Sequence, residues 1–139
     1  MPAPITILPD GELAVIEYLR ARTEVTSLVP ASRITTSLPP KPVFPCITVK
    51  RVGGTNVEWQ RIDSAAFQID CWHADGKRGE CQDVARAVRA CLLAIYNDQV
   101  AEATLVSASE EVALQWLPDT VTTPPLSRFT GRFQVLLHP

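Results

Sequence analysis

The sequence predicts an α+β fold: a mainly antiparallel sheet of about four to six strands with two helices packed on one face. Three observations point there. Residues 64–73 (SAAFQIDCWH) and 128–137 (RFTGRFQVLL) alternate apolar and polar side chains, the pattern of strands with one buried face. Residues 11–21 and 77–96 instead repeat apolar side chains three and four apart, the pattern of amphipathic helices. The strand-like stretches also come in runs rather than alternating with helices, which separates this chain from parallel α/β folds.

Taken in order, the first helix is predicted from about Gly11 to Ala21. Asp10 is its N-cap, Glu12 lies in the first turn, and Arg20 and Arg22 lie near the negative end of the helix dipole. Leu13, Ile16 and Leu19 lead its apolar face, widened by Val15. Thr23 then caps a further turn carrying Val25, Leu28 and Val29, which stops near Pro30. RITTSL at 33–38 has the β-branched content of a short strand. PPKPVFP at 39–45 holds four prolines in seven positions, which leaves an extended, stiff connector.

CITVKRV at 46–52 is the next strand, with GGTN at 53–56 breaking it as a simple turn. It makes a hairpin with 64–73 through a long connection, residues 53–63, that carries Trp59 and Arg61. The strongest helix follows, from about Lys77 to Tyr96, with Asp75 as N-cap and a seam of Cys81, Val84, Val88, Cys91 and Ile95. Two strands are expected near Ala103–Ser109 and Val112–Leu117, then a second proline loop at 118–127 and the final strand.

The chain reads as one domain, residues 1–139, large enough to bury a core without disulfides. Its net charge is −2, with 13 basic residues scattered among 15 acidic ones, so it lacks the clustered cations that grip nucleic acid. No stretch reaches the roughly 18 apolar residues of a membrane span. MPAPITILPDGE has no basic n-region, so a cytoplasmic address is expected.

FQIDCWHADGKRGEC at 67–81 gathers two thiols, an imidazole and carboxylates. A metal site would need Cys71, His73 and Cys81 to converge with a fourth ligand. The cysteine spacings of 25, 10 and 10 contain no CxxC-like pair, and Cys81 opens the apolar seam of the helix. A nucleophilic Cys71–His73 pair would need a thiolate in an electropositive, partly exposed setting, whereas Cys71 shares the inward register of Phe67 and Ile69. No GxxxxGK[ST], GxGxxG, GxSxG or HExxH occurs. The expectation is therefore no catalytic residue, no metal and no cofactor, with free buried cysteines.

The opposite side of the same strand remains. Gln68, Asp70 and Trp72 share it with Arg128, Arg132 and Gln134, and Trp59 and Trp116 are expected near its edge. Surfaces mixing Trp and Arg are frequent at protein interfaces; the alternative is a solvated sheet face with a partly exposed Trp.

Landmarks along nearly the whole chain resemble the tail terminator, or tail completion, proteins of long-tailed bacteriophages, especially actinobacterial ones. They are GELAVIEYLRAR, the turn around Leu28 with the Arg33-Ile34 strand, LPPKPVFPCITVKRVGG, FQIDCW running into a long helix, and WLPD ahead of RFTGRFQVLL. The resemblance implies a non-enzymatic virion protein of similar fold. It would form a ring, generally a hexamer, that caps the head-proximal end of the tail tube and stops tube polymerisation. Its partners would be the tube protein and the head completion or connector protein, with DNA passing through the lumen without specific binding. Its location would be the virion tail, after assembly in the host cytoplasm. Subunit or tube contacts would then fall on Trp59, Arg61, Gln68, Asp70, Trp72, Arg128 and Arg132. A neck or head–tail connector protein is the alternative within virion assembly, and a small cytoplasmic enzyme using Cys71 and His73 the alternative outside it.

Overall fold

A computed structural model describes residues 4–57 and 61–139. In chain order it contains α1 (Gly11–Arg20), α2 (Thr23–Thr26), a 3-10 turn (Ala31–Arg33), β1 (Ile34–Thr35), β2 (Cys46–Val57), β3 (Ile62–His73), α3 (Arg78–Leu93), β4 (Tyr96–Val100), β5 (Ala103–Trp116) and β6 (Ser127–His138). The strands form one six-stranded sheet in the order β1-β2-β3-β6-β5-β4. Every pair is antiparallel except β1 with β2. The class is α+β, as expected.

The helices obey their capping chemistry unevenly. Asp10 accepts a hydrogen bond from the Leu13 amide at 3.1 Å, satisfying one of the orphan donors of α1. The buried face of α1 is Val15, Ile16 and Leu19 with Ala14 and Tyr18, while Leu13 remains 45% exposed. Asp75 does not cap α3. Lys77 is the residue before its first turn and makes no side-chain cap, while Glu80 supplies the negative charge within that turn. The predicted seam is otherwise present, with Cys81, Val84, Ala85, Val88, Cys91 and Leu92 buried.

The sheet shows why this face holds a core. Along β3, Ala65, Phe67, Ile69 and Cys71 join one apolar cluster with Ile47 and Val49 of β2 and Phe129, Phe133, Val135 and Leu137 of β6. The same cluster contains the buried faces of α1 and α3. A Cβ on Gly11 would stand 2.9 Å from the Phe67 ring, so glycine lets α1 approach the sheet closely. The Tyr18 hydroxyl ties α1 to α3 by donating to the Cys91 carbonyl at 2.6 Å.

Four expectations about the elements are corrected. The strand at 33–38 shrinks to two residues, because Ser37 to Pro40 turn away before further pairing. Gly53-Gly54 is not a turn. β2 runs on to Val57, with a bulge between Arg51 and Gly53, and Val57 pairs with Ile62. The connection is thus four residues (58–61), not a long loop. Gly54 has φ +124, and a Cβ there would lie 2.3 Å from the Ser64 carbonyl oxygen, so only glycine fits. Arg51 beside the bulge grips the buried Asp63 carboxylate with two bonds of 2.5 and 2.7 Å, and its amide donates to Glu12 of α1 at 2.8 Å.

The two predicted strands between 103 and 117 are one strand, β5, with three register shifts against β6. The long helix ends at Leu93 rather than Tyr96. β4 follows at once, with Asn97 (φ 49) inside it, and turns into β5 through Ala101 (φ 53). Ile95 is buried just beyond the helix, so apolar spacing hid its end.

Candidate assembly surface

The face of β3 away from the core is built in cross-strand rows. Trp72 stands between Cys46 and Arg128, Asp70 between Thr48 and Thr130, and Gln68 between Lys50 and Arg132. The sheet thereby collects Gln68, Asp70, Trp72, Arg128 and Arg132 on one surface, as the alternation demands.

Their environments differ. The Trp72 indole donates to Thr48 Oγ1 at 3.0 Å, and the Arg128 guanidinium carbon lies 5.2 Å from the Trp72 ring centroid. Arg128 is held in place because its Nε donates to the Leu117 carbonyl at 2.8 Å. Gln68 donates to Asp70 at 3.1 Å, and Asp70 is only 8% exposed. Trp72 is also buried, at 9%. These two residues are enclosed by their own chain, so the accessible part of the surface is half-buried Gln68 and Arg128 with exposed Arg132. Arg132 makes a loose pair with Glu111 at 3.9 Å. Arg61 is exposed where the β2–β3 hairpin turns, and Trp59 lies outside the described residues.

Trp116 is not near this surface. It pairs with Phe129 in the ladder and packs tilted against that core ring, centroids 5.5 Å apart, while Arg78 of α3 covers it at 4.8 Å. The expectation that it lies near the edge of the polar face is thus corrected: its partner in the ladder, Phe129, belongs to the core side.

The groups that invited chemistry are placed for packing. Cys71 is fully buried, and burial holds its thiol well above the ordinary range. Cys81 donates its thiol to the Cys71 carbonyl at 3.1 Å and is pushed up to about 11 by burial. A raised thiol pKa is the opposite of what a nucleophile or a metal ligand requires. His73 turns to Glu80, 3.2 Å away, and accepts from the Ala74 amide through Nδ1 at 2.8 Å. Among the described residues, no three His, Cys, Asp or Glu side chains group as a metal site would require. No helix is long and apolar enough to cross a membrane, among those described.

The described residues thus combine a sheet of long bulged strands with a polar–aromatic face. The sequence matches the family described as Tail completion protein gp17 over residues 13–113. The chain belongs to that family, and is a phage tail structural protein rather than an enzyme. No curated protein matches it. Its fold is similar to that of a chain in the virion of a native gene transfer agent particle, with a TM-score of 0.63 at 18% identity, covering 93% of this chain and 95% of that one.

Proposed function

We propose that the protein is a tail terminator: a ring of identical subunits that caps the head-proximal end of the tail tube, stops tube growth and presents the docking surface for the head. The observation that carries this reading is membership of the tail completion family across residues 13–113. Likeness in fold to a subunit of a gene transfer agent virion supports a place within a particle. In this reading the ring is a hexamer, its neighbours are the tube protein and a head completion or connector protein, and DNA crosses the lumen without sequence recognition. A net charge of −2 suits a channel that must not retain DNA. Gln68, Arg128 and Arg132, with Arg61 at the hairpin end, and Trp59 contact the neighbouring subunit or the tube. Asp70 and Trp72 support them from beneath.

The test is electron microscopy of tails assembled without this protein. Overlong, headless tails are the expected result. Tails of normal length that lack heads would overturn the terminator reading in favour of a neck or connector protein.

A further inference from the structure

Both outer edges of the sheet are stepped. β1 pairs with β2 only at Ile47 and Thr48. From Val49 to Val57 the outer edge of β2 has no strand partner among the described residues, its Arg51 amide alone being taken by the Glu12 side chain. On the far side β4 pairs with β5 only between Ala103 and Ser107, which leaves the outer edge of β5 open from Ala108 to Trp116 among the described residues.

The open stretches lie at opposite ends of the sheet. Val57 pairs with Ile62, Asp63 with Leu137, and His138 with Thr104, so the open end of β2 is level with the covered end of β5. At the other end Cys46, Trp72 and Arg128 align, next to the pair of Phe129 with Trp116. There β2 is covered and β5 is open. One edge therefore projects where the other recedes.

We infer that the β1–β2 edge of one copy seats against the β5–β4 edge of a second copy, β1 entering the step beside β5 and β4 entering the step beside β2. This rests on the ring reading and names the contact that would build it. Set without sliding one copy along the strands, β1 lies beside Gln115 and Trp116 of β5 and β4 beside Thr55 to Val57 of β2, so the two copies meet at both ends of the seam and face each other across its middle, and repetition of the contact has no built-in rise. A head-to-tail contact of two different patches closes into a ring when nothing makes it climb. β2 and β5 run in opposite directions within the sheet, and β1 runs with β2. Copies related by rotation about an axis along the strands would thus bring β1 beside β5 antiparallel.

Charge agrees with the fit. Lys50 is level with Gln68, Arg132 and Val112 in the ladder, so it meets the height of Glu111 on the second copy. Both are exposed, and Lys50 makes no ion pair among the described residues. At the hairpin end, exposed Arg61 is level with exposed Glu102 in the β4–β5 turn. Beside β1, Arg33, Thr35, Lys41 and Val43 line a recess of about 530 Å³. Bulges in β2 and β5 keep either edge from being a flat template, which favours the complementary edge over any passing strand.

The test is charge reversal on the full chain, with oligomer mass followed by sedimentation across a concentration series. Lys50→Glu and Glu111→Lys should each lower the association constant about tenfold or more, and the double variant should recover to within about threefold. Helical and strand content should be unchanged in all three, since both positions are exposed. If the natural chain forms rings that neither reversal weakens, the edge contact is wrong and the ring stands. If the natural chain stays a single copy at every concentration, both the contact and the ring fall.

Discussion

The two sides of β3 are buried by different means. On one side Ala65, Phe67, Ile69 and Cys71 are apolar and share a core with two helices. On the other, Ser64, Ala66, Asp70 and Trp72 are also buried, yet none belongs to that core. They are covered by neighbours along the sheet: Thr48 accepts from Trp72, Arg128 lies over its ring, and Gln134 donates to Ser64 Oγ at 2.6 Å. One side derives its stability from apolar area removed from water, the other from hydrogen bonds that exchange with water and so contribute less net. The core side should therefore govern folding, and the polar side should hold the shape of the surface.

The largest effect follows directly. Phe67→Ala removes a fully buried ring at the centre of the core and should cost about 3–5 kcal/mol in urea unfolding. Arg51→Met comes next. It keeps the aliphatic stem but leaves the Asp63 carboxylate, 3% exposed, without its guanidinium, beside the bulge that Gly54 makes. Because the Arg51 side chain is itself 37% exposed, water can partly replace it, and a loss of about 2 kcal/mol is expected. A loss as large as that of Phe67→Ala would mean the polar network carries the fold, breaking the contrast.

Much of this contrast is legible in the sequence. Period-two alternation placed Phe67, Ile69 and Cys71 together and Gln68, Asp70 and Trp72 opposite them, because strand geometry leaves side chains no other choice. The seam of α3 followed for the same reason. The ends of elements were harder to read. Gly53-Gly54 looks like a turn, since the same lack of a Cβ serves turns and bulges alike; the Arg51–Asp63 pair that settles it joins residues 12 apart. β4 was hidden because Ile95 extends the apolar spacing of α3. The enclosure of Asp70 and Trp72 depends on Thr48 and Arg128, brought in from two other strands, so no local pattern reveals it. The accessible candidates are consequently fewer than alternation alone suggests.

Trp72→Phe sharpens the difference between the sides. Phenylalanine preserves a ring beneath Arg128 and removes only the indole donor to Thr48. The loss should be about 1 kcal/mol, the usual net value of one hydrogen bond, measured by the same urea titration. In the same preparation the four free cysteines should resist a thiol reagent until urea unfolds the chain, because burial raises the pKa of each.

The smallest effect lies where the two sides meet, at the end of β3. Burial lowers the pKa of His73 from its ordinary 6.5, opposed by the Glu80 carboxylate 3.2 Å away. Nδ1 accepts from the Ala74 amide, and that bond is lost if the proton enters there. The unfolded chain therefore binds the proton more readily than the folded one. Stability is fully present above 6.5 and declines as pH falls through 6.5 toward the lower folded value. The urea midpoint should thus be slightly lower at about pH 5.5 than at about pH 7.5, before most carboxylates begin to titrate. His73→Gln should abolish that difference. A midpoint that rises on acidification would show that Glu80 outweighs burial and that the strand end is organised around an ion pair.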